Sequence, residues 1–261
     1  MFKNFLLRAL FLLISFVGLS STAVSANESI HVKHHTEVIR TIQKHMLKHY
    51  VFLDKAELMN RHLDKLIEDK YFDSYLEPEA FARALTKEMR RFSNDKHIGV
   101  RPPRASNNVP KTSQAPEVSI FSRHLKGLMH FRDGGFGDVK FFDGNVAYFR
   151  LDGFRGEDKL QIDPLMAYLA TSDAIIIDLR KNGGGGALVD YLSSYFLPEN
   201  ILLTSTYTRS IDHTEHINTV PVKGRTRLDV PLFILTSDRT FSAAEAFSYS
   251  LQARNRATVI G

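Results

Sequence analysis

Two short segments hold the residues best suited to chemistry. The first is Asp178-Leu179-Arg180-Lys181-Asn182-Gly183-Gly184-Gly185-Gly186. Four glycines after an apolar run leave backbone N–H groups unshielded by side chains. They lead toward a helix N-terminus, where orphan N–H groups and the helix dipole favour negative charge. Such a loop can hold a phosphate or a developing oxyanion. No Gly-Lys-Ser/Thr follows, and the glycine spacing of a dinucleotide fingerprint is missing, so both nucleotide readings fall away. The glycines alone fit a plain flexible turn equally well. The second segment is Thr236-Ser237-Asp238-Arg239-Thr240-Phe241-Ser242-Ala243-Ala244-Glu245. Here an apolar run ends, the chain turns, and Ser242 stands at the start of a helix. A hydroxyl placed there has its attack product next to unsatisfied N–H groups. Ser242 with Glu245 also fits a capping box, and Ser237 and Thr240 are rival N-caps.

Taken together, the two segments resemble the tail-specific (C-terminal-processing) protease family. The pattern is Asp-Leu-Arg-x-Asn-x-Gly-Gly after one buried strand and Thr-Ser-x-x-Thr-x-Ser-Ala-x-Glu after the next. Tyr50-Val51-Phe52, the Asp95-Lys96-His97 turn and Gly144-Asn145-Val146-Ala147-Tyr148 are similar too, as are Ser194-Tyr195 and Arg256–Gly261. The branch it resembles most contains the interphotoreceptor retinoid-binding protein modules, and no stretch is long enough for a PDZ domain. The resemblance implies that Ser242 is a nucleophile. It implies an oxyanion hole from the backbone N–H of Gly184 or Gly185 and of Ala243. The general base is a downstream lysine in one branch and, in the tricorn-like branch, a histidine with a later acid. His97 stands at that histidine's place; a turn histidine bonded to backbone is the other reading of it. The implied fold is a helical N-terminal subdomain followed by a mixed α/β, ClpP/crotonase-like core. The chain would stop inside that core at Gly261, before the lysine or acid.

The elements that must position these residues can be read from periodicity. Val38, Ile39, Ile42, Met46 and Tyr50 recur at helical spacing. A second helix is expected from Asp54, with Glu57 completing a capping box and Met59, Leu63, Leu66 and Ile67 as its stripe. A third has Pro78 near its start and Phe81, Leu85, Met89 and Phe92 on one face. Residues 101–117, with four prolines, read as a linker. Val139–Phe142 and Val146–Leu151 flank Asp143-Gly144-Asn145, a hairpin signal. Leu160–Thr171, Ala187–Phe196 and Phe241–Arg254 read as helices. Ala174–Leu179 and Pro231–Thr236 read as strands buried on both faces, and Ala257–Ile260 as a further strand. Alternating strands and helices imply an α/β core. The expected division is a leader over 1–26, helices over 27–100, a linker over 101–117 and the α/β core over 118–261.

The leader has Lys3 and Arg8 beside a short apolar run, Ala9–Leu19, and small residues at Val24-Ser25-Ala26, the pattern of a signal peptide cleaved after Ala26. A periplasmic or secreted protein is therefore expected, with no membrane span once the leader is removed. The net charge of +5 is scattered and forms no basic stripe, which argues against nucleic acid as a partner. There is no cysteine, so thiol catalysis, thiolate metal sites and disulfides are excluded. His45 and His49 lie one helical turn apart without a clear third ligand, so neither metal nor cofactor is expected. The reading that follows is a serine endopeptidase acting on peptides or proteins. Its rivals are a binding module for an apolar small molecule such as a lipid or retinoid, built from the nineteen Phe and nine Tyr, and an inactive fragment.

Overall fold

The computed structural model describes residues 34–102, 135–155, 161–186 and 188–261. The expected leader and most of the Pro-rich linker lie outside the described residues. The chain divides by contacts into two compact units, one holding the amino-terminal residues up to Pro110 together with Thr208–His213, the other holding the remainder.

The first unit is helical. Helix α1 covers residues 34–49, α2 Leu53–Glu68 and α3 Pro78–Ser93. Their apolar stripes close on one core containing Ile39, Met59, Leu63, Phe72, Phe81, Leu85 and Met89. Pro78 sits at the start of α3, where its missing N–H leaves no bond unmade. Asn94 ends that helix in the left-handed conformation, with φ 51°. Two expectations are corrected. Helix α2 starts at Leu53 with Phe52 as N-cap and no side-chain bond there. Asp54 lies inside the first turn instead, where its charge meets the helix dipole. Phe92 is 37% exposed, because it lies at the rim of the stripe with its ring 4.5 Å from His62. The sequence reading also missed Arg209. Its guanidinium donates to the carbonyl oxygens of Tyr50 at 2.7 Å and Leu47 at 2.5 Å, orphan acceptors at the end of α1.

The second unit is built on a five-stranded sheet in the order β1-β2-β3-β6-β7. The strands are β1 Phe136–Phe142, β2 Val146–Leu151, β3 Ala174–Asp178, β6 Leu232–Leu235 and β7 Thr258–Ile260, with a separate ribbon of β4 Leu202–Thr208 and β5 His213–Asn218. Strands β1 and β2 form the expected hairpin, and β2, β3, β6 and β7 run parallel. The register places Ala147 beside Ile175, Phe149 beside Ile177, and Ile175 and Ile177 beside Leu232 and Ile234. That face is packed by helices α4 Ile162–Tyr168, α5 Val189–Ser193 and α6 Ala243–Gln252. Burial of a row of Val, Leu, Ile and Phe side chains contributes about 1.5–3 kcal/mol each and fixes the register, since a slip of one residue would turn the row outward.

Strands β3 and β6 are not buried on both faces. Ile176, Phe233 and Leu235 are only half-buried, because the second face carries a polar cluster around Tyr148, Arg150 and Asp178. The β4–β5 ribbon was absent from the sequence reading. Most of its residues are exposed, so no two-residue hydrophobic alternation marks it. Helix α5 is also shorter than its apolar pattern suggests, ending at Ser193.

Candidate active site

Both glycine loop and serine turn leave the carboxyl ends of adjacent parallel strands, β3 and β6, the end where open α/β sheets place ligands. Three hydrogen bonds sew the two segments together. Ser237 Oγ donates to the Arg180 carbonyl at 2.7 Å, Thr240 Oγ1 to the Leu179 carbonyl at 2.9 Å, and the Phe241 N–H to the Asn182 carbonyl at 3.0 Å. Thr240 Oγ1 also accepts the Ser237 N–H at 2.9 Å. Ser237 and Thr240 are therefore not helix caps, as the sequence allowed. They are the side chains that dock one loop on the other, and their spacing in the motif follows from that docking.

The turn delivers Ser242 to the start of α6 with φ 56° and ψ −115°. A non-glycine residue rarely adopts this backbone conformation, which costs about 1–3 kcal/mol. The surrounding bonds hold it there: the Ser242 N–H donates to Glu245 Oε2 at 2.5 Å, and the Ser242 carbonyl accepts from Ala246 N–H at 2.9 Å. Glu245 thus has the N3 role that the sequence pattern assigned to it.

Gly184 packs directly against this turn. A Cβ at Gly184 would lie 2.8 Å from the Phe241 carbonyl oxygen, 2.9 Å from Ser242 Cβ and 3.3 Å from the Ala243 nitrogen, and its φ is +95°. Only glycine meets both demands. The structure therefore brings Gly184, Ser242 and Ala243 together. The Gly184 N–H, however, donates to Asn182 Oδ1 at 2.8 Å. Gly185 bridges to Phe154 through its neighbours, by Phe154 N–H to the Gly184 carbonyl and Gly186 N–H to the Phe154 carbonyl, each 3.0 Å. The N–H groups of Gly185 and Ala243 have no acceptor among the described residues.

Around the other face of the strand ends lies a cavity of about 390 Å³ lined by Tyr148, Arg150, Asp178, Arg180, Ser237 and Arg239 among others. Asp178 anchors it. Its carboxylate accepts from Arg180 N–H at 3.0 Å, Arg180 Nε at 2.9 Å, Arg180 Nη2 at 2.7 Å and Tyr148 O–H at 2.8 Å. Burial alone would raise its pKa, but the Arg180 and Tyr148 hydrogen bonds outweigh burial and bring it down to about 2. The Asp-Leu-Arg part of the first motif is thus a closed ion pair that braces the root of the glycine loop.

His97 belongs to the helical unit. Asp95 Oδ1 accepts the His97 backbone N–H at 2.8 Å and lies 2.9 Å from His97 Nδ1, while Asp95 Oδ2 accepts from Tyr50 O–H at 3.1 Å. With the hydrogen on Nδ1 donated to this carboxylate, Nε2 is the basic nitrogen. Burial of Asp95 acts to raise its pKa, yet the hydrogen bonds from His97 and Tyr50 leave it below the ordinary value. Burial, together with the same carboxylate, pushes Tyr50 up to about 12. Sequence reading named Tyr50 and Asp95 as landmarks without seeing that they meet. His45 and His49 stack with ring centroids 5.8 Å apart.

Over 121 residues the chain is 32% identical to a carboxyl-terminal-processing protease of Synechocystis sp., covering 45% of this chain and 27% of the length of that protein. A crystal structure from Parabacteroides merdae, described as that of a candidate peptidase, shares the fold with a TM-score of 0.54 at 20% identity over 88% of this chain and 74% of that one. A lipoprotein from Streptococcus agalactiae does so with a TM-score of 0.50 at 16% identity, covering 86% of this chain and 74% of the other. Residues 145–261 match peptidase family S41, and residues 22–126 match the N-terminal domain of peptidase S41 in eukaryotic IRBP. With both parts of one family matched in order along the sequence, the chain belongs to peptidase family S41.

Proposed function

We propose that the chain is a serine-type endopeptidase acting on peptide or protein substrates outside the cytoplasm. The observation that carries this reading is Ser242, held at φ 56° at the start of α6 and pressed against Gly184. In the proposed reaction Ser242 Oγ attacks the scissile carbonyl carbon. A C–O bond forms, the hydroxyl proton passes to the base, and the carbonyl electrons move to oxygen. Backbone N–H groups beside Gly184 and Ser242 hold that oxyanion, the kind of donor whose loss lowers kcat by about 10²–10³. The tetrahedral intermediate then collapses, the C–N bond breaks, and the base returns its proton to the leaving amine. Water repeats the sequence on the acyl-enzyme.

The resemblance offers His97 as the base; Asp95 holds its Nδ1, which leaves Nε2 as the nitrogen to take the proton. Asp95 would then stabilise the imidazolium that forms. Export is part of the same reading and rests on the leader pattern of residues 1–26. The test is steady-state turnover of peptide substrates. Ser242→Ala should lower kcat by several orders of magnitude at unchanged folding, as removal of a serine nucleophile does. Equal turnover by wild type and Ser242→Ala would overturn the assignment. His97→Ala should fall nearly as far; unchanged turnover there would remove His97 as base and leave Ser242 standing.

A further inference from the structure

Asn182 is fully buried in the glycine loop, and it touches both halves of the site. Its carbonyl accepts the Phe241 N–H at 3.0 Å, and its side-chain Oδ1 accepts the Gly184 N–H at 2.8 Å. That second bond fixes the orientation of the carboxamide, because only oxygen can accept there. The cost is visible at the other end: Nδ2 is buried with no hydrogen-bond partner among the described residues. A buried donor left unpaired is destabilising and needs an explanation beyond packing.

The Gly184 bond has a consequence for the reaction. An N–H already donated to Asn182 cannot also be a preorganised donor to an oxyanion. Two other amides beside Ser242 have no acceptor among the described residues. The Gly185 nitrogen is two covalent bonds from Gly184 Cα, about 2.4 Å by standard backbone geometry, and a Cβ on that Cα would lie 2.9 Å from Ser242 Cβ. Its N–H is unused by the bridge to Phe154, which employs Gly184 and Gly186 instead. The Ala243 nitrogen lies 3.3 Å from where a Gly184 Cβ would sit, and its N–H is likewise unused.

Resting on the reading of Ser242 as nucleophile, we propose that Asn182 is a positioning residue of the active site, whose hold on the Gly184 N–H assigns the oxyanion to the Gly185 and Ala243 amides. Asn182 touches no reacting atom. It acts by clamping the loop in one conformation, through its side chain to Gly184 and through its backbone to the segment that carries Ser242. The unpaired Nδ2 is the local sacrifice that this clamp requires.

The experiment is amide-resolved NMR on the whole 15N-labelled chain, free and with a peptide aldehyde that forms a hemiacetal on an active serine. Free protein should show the Gly184 amide protected from hydrogen exchange and the Gly185 amide exchanging at least tenfold faster. On hemiacetal formation the Gly185 and Ala243 amide protons should move downfield, with Gly184 unmoved. Asn182→Ala should abolish Gly184 protection and lower kcat at least tenfold with KM within twofold. Asn182→Asp keeps an acceptor at the same place and should restore protection and most of kcat, which a general loss of stability would not predict. A downfield shift of Gly184 with Gly185 unmoved would overturn the assignment, as would an Asn182→Ala variant with unchanged kcat. If Asn182→Ala does not fold, the wild-type exchange rates and shifts decide the matter alone. Failure of any hemiacetal to form would instead sink the reading of Ser242 and the oxyanion assignment with it, while Gly184 exchange would still report whether Asn182 holds that amide.

Discussion

Gly184→Ala is the substitution whose effect the structure specifies most fully. Its φ of +95° is strained for any residue with a Cβ, at about 1–2 kcal/mol. The added methyl would also lie 2.8 Å from the Phe241 carbonyl oxygen and 2.9 Å from Ser242 Cβ. Neither neighbour is the tip of a flexible chain, so relief requires one loop to move off the other. Overpacking of this kind costs about 1–3 kcal/mol, which brings the total to about 2–5 kcal/mol. Gly183 supplies the control, since a Cβ there meets nothing within 4 Å and its φ is not in the left-handed region. Gly183→Ala should therefore stay within about 0.5 kcal/mol of wild type. Urea denaturation of both variants, followed by circular dichroism, measures the difference. Any activity of Gly184→Ala should fall further than its stability does, because the loop displaced is the one that faces Ser242. A Gly184→Ala variant as stable as Gly183→Ala would refute the packing of the two loops described above.

Three further outcomes are expected. The Asp178 carboxylate is held at about 2 against an ordinary 3.8, so the unfolded chain binds a proton at a pH where the folded chain does not. Its contribution of about 2 kcal/mol is complete above about pH 4 and is lost as pH falls toward 2; acid denaturation of Asp178→Asn should lack that component, and identical acid profiles would contradict it. Thr240→Val removes the bond to the Leu179 carbonyl and the acceptor for Ser237 N–H, and should cost about 1–3 kcal/mol by thermal denaturation; a neutral result would show that the docking bonds are dispensable. Arg209→Ala leaves the carbonyls of Leu47 and Tyr50 without their guanidinium donor and should speed hydrogen exchange at the end of α1, whereas unchanged exchange would mean that water replaces it fully.

What could be read from the sequence was what depends on local order. The helix stripes, the Asp143-Gly144-Asn145 turn and the apolar runs of β3 and β6 each carry their period within a few residues. The pairing of the two motifs was legible for a different reason. Each follows a buried strand, and neighbouring parallel strands bring their carboxyl ends together. Hidden from the sequence were features set by contacts distant along the chain. The bond from Gly184 to Asn182 and the bridge from Gly185 to Phe154 decide which amides are available, and nothing in a run of four glycines distinguishes one N–H from the next. The roles of Ser237 and Thr240 were misread because a hydroxyl near a helix start has a cheap local explanation as a cap, while their partners lie 57 and 61 residues away. Strand β3 looked doubly buried because Ile175, Ile176 and Ile177 are all apolar; its second face becomes polar only through Tyr148 and Arg150 on the adjacent strand.

The central claim is that Ser242 is an activated nucleophile, and covalent labelling reaches it most directly. The chain is treated with a fluorophosphonate probe and the adduct is located by peptide mass spectrometry. An activated serine displaces fluoride and keeps the phosphonyl group, whereas an ordinary capping hydroxyl does not react. The account predicts a single adduct, on Ser242, abolished in Ser242→Ala and in protein unfolded before treatment. A folded wild-type chain that leaves Ser242 unlabelled, or labels another serine equally in both proteins, would contradict it.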